Sequence, residues 1–306
     1  MGEFDYIRWV RRQTPTSPRV LIGPGDDCAV VSSTNSLPMM VTTDMLMERV
    51  DFILTDAGPR RVGRKAMAVN LSDIAAMGGK PIAAFVSIAV PKGELSLGMP
   101  EELYRGLREM ADRFNTGIAG GDTNTWTGGL VISVTVLGEP GPQGPIRRNG
   151  ARPGDWLFVT GPLGGSLLGK HLDFTPRIDE ALLLQKHAPI HAMIDISDGL
   201  AADTFHICEE SGCGVVLFAD RVPLTEAASC MADALSPLEH ALGDGEDFEL
   251  AFAVDPADGE RLLKSQPIPG ITLSLIGQFI SEQALFLQEG ETRSRIEPRG
   301  FAHSFS

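Results

Sequence analysis

Apolar runs that end on an aspartate recur along this chain: Asp26, Asp27, Asp44, Asp73, Asp122, Asp195 and Asp198 each stand in or just after one, flanked by Gly, Ser, Thr or Asn. The run Pro38, Met39, Met40, Val41, Thr42, Thr43, Asp44 reads as a buried strand delivering its carboxylate at the strand's end, where α/β sheets place their ligand sites. Any one such aspartate can instead cap a helix or close an Asx-turn. Seven in one context, with Asp26 and Asp27 adjacent, exceed that need, because neighbouring carboxylates repel and two caps are not required in one place. The fold must therefore bring several of these ends together. An all-oxygen donor set points to Mg²⁺ or Mn²⁺ rather than zinc, and Mg²⁺ in such sites usually comes with substrate phosphates.

Composition narrows the partners. The 306 residues suit two domains, and a formal charge of −14 argues against nucleic acid or an anionic membrane surface. An anionic small substrate then needs metal ions as intermediaries. Cys28, Cys208, Cys213 and Cys230 form no CxxC pair and read as reduced thiols, which with no recognisable export signal predicts the cytoplasm. No apolar run approaches the ~20 residues of a membrane span.

Strand-like and helix-like segments alternate. Strands are predicted over 27–32, 39–44, 83–90 and 130–137, and helices over 60–77 and 101–114. Pro140, Gly141, Pro142, Gly144 and Pro145 mark a boundary, dividing the chain into domains 1–140 and 141–306. Beyond it, strands are predicted over 155–160, 192–196, 214–218, 248–254 and 272–277, and helices over 166–172, 177–187 and 200–211. The class is α/β in two halves. A local likeness links them: Ser72-Asp73 and Ser197-Asp198 sit in similar surroundings, by chance or because each half presents a Ser-Asp step at an element end. Gly164 to Lys170 nearly fits a P-loop, but His171 lacks the hydroxyl that would ligate Mg²⁺. The six histidines show no ligand spacing.

Gly25-Asp26-Asp27-Cys28-Ala29, Thr42-Thr43-Asp44, the block from Ala68 through Asn70, Ser72 and Asp73 to Gly78, Gly120-Gly121-Asp122-Thr123, Asp195-Ile196-Ser197-Asp198-Gly199 and Gly245-Glu246-Asp247 together resemble the thiamine-monophosphate kinase family, of the aminoimidazole ribonucleotide synthetase-like superfamily. The resemblance implies a two-domain α/β fold, an N-terminal sheet that pairs with a second subunit in a homodimer, and phosphoryl transfer from ATP to thiamine phosphate with several Mg²⁺ ions. By position it implies metal ligation by Asp27, Thr42, Thr43, Asp44, Asp73, Asp122, Asp195 and Asp198. It implies ATP contacts at Tyr104, Gly121, Asp122, Arg148 and Ser197, and acceptor contacts at Asp51, Glu246 and Phe301. Asp44, Asp122, Arg148, Asp195 and Asp198 would carry catalysis. Departures fall on the acceptor side: Asp51 stands where relatives often carry His, Phe301 where Tyr is common, and Asp244 in a usual run of glycines. Another ATP-dependent enzyme of the superfamily, or a sensor without turnover, are the alternatives.

Overall fold

The computed structural model describes residues 8–9, 11–12, 19–23, 25–32, 38–92 and 98–302. Its first sheet is built from β1 (Val20–Ile22), β2 (Ala29–Val31), β3 (Met39–Met47), β4 (Gly79–Pro91), β5 (Gly117–Trp126) and β6 (Val131–Pro140), in the order β1-β2-β3-β6-β4-β5. Only β4 and β5 pair in parallel. The second sheet holds β7 (Trp156–Val159), β8 (Ala192–Asp195), β9 (Gly214–Phe218), β10 (Leu250–Val254), β11 (Ser274–Ile280), β12 (Leu285–Glu289) and β13 (Thr292–Arg295), in the order β13-β12-β9-β11-β7-β10-β8. Here β12 and β9 are the parallel pair. The expected α/β class holds, with sheets that are mostly antiparallel.

After the short helix α1 (Leu54–Ala57), helix α2 (Pro59–Ala76) covers one face of the first sheet and buries Val62, Met67, Leu71 and Ile74. Pro59 opens it at a position whose missing N–H needs no partner. Helix α3 (Met99–Arg113) crosses α2 at paired glycines. A Cβ on Gly63 would lie 2.0 Å from the Leu103 carbonyl oxygen, and one on Gly106 would lie 1.9 Å from that of Arg60, so any side chain there would push the helices apart. The sheet's other face is open: Met45, Ile82 and Phe85 are exposed, and β5 is exposed along most of its length. No helix among the described residues is long and apolar enough to cross a membrane.

Three expectations shift. Strand β3 continues to Met47, so Asp44 lies inside the strand instead of at its end. The helix expected over 166–172 breaks at Gly169, whose φ of 138° splits it into a 3-10 turn and α4 (Lys170–Asp173). Ser72-Asp73 lies in the last turn of α2, whereas Ser197-Asp198 precedes α6 (Leu200–Ser211), so the two steps are not equivalent in the fold. The helix expected over 177–187 is α5 (Ile178–His187).

Candidate active site

Asn70, Ser72 and Asp73 project from the last turns of α2 and knit both sheets to it. The Asp44 N–H donates to Asn70 Oδ1 at 3.1 Å, the Thr42 hydroxyl donates to Asp73, and the Ser72 hydroxyl donates to Asp195 at the end of β8. Oxygens of Asp27, Asp73 and Asp195 all lie within 4.8 Å of one another. Like charges that close cost roughly 4 kcal/mol per pair at 4 Å and an effective dielectric of 20. Protons relieve it. Burial, then the charges of Asp27 and Asp44, push the Asp195 carboxyl up to about 8. Burial also lifts Asp44 to about 6, although its hydrogen bond with Asp73 opposes the rise, and burial with Asp44 close by lifts Asp73 well above the carboxylate range. A close set of carboxylate oxygens whose mutual repulsion raises their proton affinity has the donor chemistry that suits hard divalent ions.

The linker between the sheets supplies positive charge. Arg148 makes a two-pronged bond to Asp27 (2.7 and 3.2 Å), while Arg147 and the Arg148 N–H take Asp26 at 3.1 and 2.9 Å. The adjacent aspartates thus face adjacent arginines. Burial would lower the Arg148 guanidinium, but the Asp27 charge outweighs it and the group stays firmly cationic.

A cleft of about 390 Å³ is lined by Asp44, Asp73 and Asp195 together with Asp51, Ser197, Asp198, Glu246 and Phe301. Glu246 stands on a strained loop: it and Phe248 take left-handed φ values of 55° and 50°, held by N–H donation to the carbonyls of Ser197 and Ile196 at 2.7 and 2.8 Å. Such strain persists where the surroundings over-determine it, often at functional loops. The Phe301 N–H donates to the Asp198 carbonyl at 2.9 Å, fixing Phe301 beside the cleft.

Gly121, Asp122 and Tyr104 lie elsewhere, around a separate exposed pocket on β5 and α3. Asp122 registers with Ser87, Ser87 with Ser133, and Ser133 with Met45, so it stands three strands from β3. At ~4.8 Å per strand that is about 14 Å. Thr43 is on the sheet face opposite Thr42, where it receives a hydrogen bond from Thr135 at 3.0 Å. One chain therefore assembles Asp27, Thr42, Asp44, Asp73, Asp195 and Asp198 but not Thr43 or Asp122.

Sequence reasoning missed three features. Asp203, buried in the first turn of α6, accepts the N–H groups of Asp198 and Gly199 at 3.0 and 3.1 Å and orients that loop. Glu249, 1% exposed, binds Arg177 at 2.7 and 2.8 Å and Lys170 at 3.0 Å. With Asp247 accepting the Gly164 N–H at 2.9 Å, both the lysine and an amide of the P-loop-like segment are engaged within the protein. The third is Lys65, wholly buried beside Glu246. A lysine in the apolar stretch from Val62 to Leu71, and a glutamate opening the run before β10, were the available signs.

Two sheets, each backed by helices, with carboxylates from both meeting at one cleft define a class. Residues 25–139 match the AIR synthase related protein, N-terminal domain, and residues 152–289 the corresponding C-terminal domain. A thiamine-monophosphate kinase of Rhodopirellula baltica is 39% identical, with 98% of this chain and 97% of that protein covered. The solved structure of AaThiL complexed with AMPPCP and TMP superposes with a TM-score of 0.83 at 31% identity, covering 99% and 97% of the two chains. That of thiamine monophosphate kinase from Aquifex aeolicus gives 0.77 at 29%, covering 94% and 96%. Within the AIR synthase-related class, the chain belongs to the thiamine-monophosphate kinase family.

Proposed function

We propose that the protein transfers the γ-phosphoryl group of ATP to thiamine monophosphate, giving ADP and thiamine diphosphate. The observation that carries this reading is the Asp27, Asp44, Asp73 and Asp195 cluster, half-buried except for the buried Asp195, part of it lining a cleft shared with Glu246 and Phe301. A relative solved with AMPPCP, an ATP analogue, and TMP supports it. Asp27, Thr42, Thr43, Asp44, Asp73, Asp122, Asp195 and Asp198 would hold Mg²⁺, Tyr104, Gly121, Arg148 and Ser197 would contact ATP, and Asp51, Glu246 and Phe301 the acceptor. Bound Mg²⁺ supplies charge neutralisation between phosphates that otherwise repel. An acceptor phosphate oxygen attacks the γ-phosphorus and the bond to the β-phosphate oxygen breaks, leaving ADP with the electron pair. The acceptor's second pKa is ~6, so it arrives largely ionised and no protein base is required. Arg148 adds fixed positive charge, and the chain's main contribution is positioning. Buried Cys28, Cys208 and Cys213, all free thiols, suit a reducing cytosol, and we keep the domain division at 140/141.

Assay of ATP with thiamine monophosphate or thiamine tests the reading. Thiamine monophosphate should be the faster acceptor by at least about 10²-fold, the scale of a missing proton-transfer catalyst. Its rate should rise with pH through about 6 and then level. Faster phosphorylation of free thiamine would overturn direct transfer, and ATP binding without turnover would favour a sensor.

We further propose a homodimer formed through the open face of the first sheet. In a two-fold pairing each patch meets its complement on the other copy. Thr43 and Asp122 lie on that face, across the sheet from Thr42 and Asp44, so the pairing would bring Thr43 and Asp122 of the two copies together in a site shared between subunits. Phe85→Asp, placing a charge at the exposed Phe85, should yield a monomer of 32.8 kDa in sedimentation with turnover lost. An active monomer would rule out the shared site.

A further inference from the structure

Lys65 has no exposed side-chain surface and directs its charge at a single carboxylate, that of Glu246. Its Nζ donates to the Asp51 carbonyl at 2.7 Å and to Glu246 Oε1 at 2.6 Å, and lies 3.3 Å from His171 Nδ1. His171 Nδ1 is also 3.0 Å from Glu246 Oε2. Each oxygen of Glu246 is thus engaged from one side, and the carboxylate still borders the cleft with about a quarter of its side chain exposed. Burial would raise the Glu246 carboxyl, but His171 and Lys65 hold it below the usual range, so it is ionised. A buried ion pair contributes little net stability, because desolvation offsets the attraction. The pair's value lies in what it does to the cleft. Lys65 cancels the charge of Glu246, and each carboxylate oxygen keeps a second lone pair for a ligand.

We infer that Lys65 is a positioning residue of the acceptor site: it fixes the strained Glu246 loop and the Asp51 backbone across the two domains and makes Glu246 a neutralised hydrogen-bond acceptor for the substrate's exocyclic N–H groups, not a counter-charge for its ring cation. This rests on the acceptor assignment proposed above.

The test uses the full chain, with acceptor binding followed by calorimetry in the presence of Mg²⁺ and a non-hydrolysable ATP analogue, and turnover assayed in parallel. Lys65→Met should weaken thiamine monophosphate binding at least about 10-fold, the range of a charge-assisted hydrogen bond, while the ATP-analogue affinity changes less than about two-fold. In a Glu246→Gln background the same change should cost clearly less than in the parent, since Lys65 acts mainly through that carboxylate and keeps only its bond to the Asp51 carbonyl. Losses that multiply independently would overturn the inference. A second measurement needs no Lys65 variant: an acceptor whose thiazolium is replaced by an uncharged thiophene should lose the same factor in Glu246→Gln as thiamine monophosphate does. A loss confined to the cationic acceptor would make Glu246 a counter-charge and overturn the inference. Absence of turnover with normal acceptor binding would instead count against the kinase reading alone.

Discussion

Asp195→Asn should lower turnover by at least about 10²-fold, on the scale of removing one preorganised electrostatic group, while raising the melting temperature of the metal-free protein. The two effects share one cause. Asp195 is 3% exposed, and burial with Asp27 and Asp44 nearby pushes its carboxyl up to about 8. Near neutral pH the metal-free fold bears the cost of a proton held there against solution or of a charge held against its neighbours. Asparagine keeps the shape and an oxygen for the Ser72 hydroxyl, but abolishes that cost and, with it, an anionic ligand. Turnover at saturating ATP, acceptor and Mg²⁺, beside thermal melts in chelator, checks both halves. Turnover within about three-fold of the parent, or a lower metal-free melting temperature, would refute a cluster held against its own repulsion.

The pH dependence of stability should be weakened by Mg²⁺. Asp44 at about 6, Asp195 at about 8 and Asp73 well above the usual range are all raised over an unfolded value of roughly 3.9. A raised carboxyl binds protons more tightly when folded. Its stabilising contribution is present in full below about pH 4 and is lost as pH climbs through the folded values. The metal-free melting temperature should therefore fall between pH 5 and pH 8.5. Glu246 and Glu249 are depressed, so their contributions vary only below the ordinary glutamate range and leave this window flat. His240, where burial is outweighed by Asp244 and Asp233, is raised and adds to the fall, but no cluster carboxylate is among its partners. Mg²⁺ competes with protons for the cluster, so its stabilising shift should grow with pH. An equal Mg²⁺ shift at pH 6 and pH 8 would mean that the ions bind elsewhere.

Much of the fold was legible because its elements keep clean periodicity. Strand β9 and helix α6 fall where the apolar pattern puts them, and α2 within a residue. Asp44 was read as a strand's end because a charge interrupted an apolar run; the strand continues because that carboxylate points into a site, not into solvent. Strand β5 went unseen because Gly117, Gly120, Gly121 and Asn124 carry little strand preference, and its pairing is supplied by β4. That Asp27, Asp44, Asp73 and Asp195 converge was legible from their contexts. Lys65 was not, since its meaning depends on Glu246, 181 residues away. The reach of Arg148 to Asp27 is likewise a property of the linker's path.

Helix α2 carries Lys65 and Asp73 on one rigid rod, clamped to its neighbour at Gly63 and Gly106. Eight residues at ~1.5 Å each separate them, about 12 Å along the axis. The rod works as a gauge block. On the acceptor assignment proposed above, Lys65 steadies the carboxylate that would grip the acceptor's ring and Asp73 would hold charge at its phosphate end, with the interval between Lys65 and Asp73 set by one piece of backbone. A homologue of the acceptor with one methylene more or fewer between ring and phosphate would satisfy one end of the gauge and miss the other. On that assignment, selection by molecular length would be built into a helix whose glycines permit no slack.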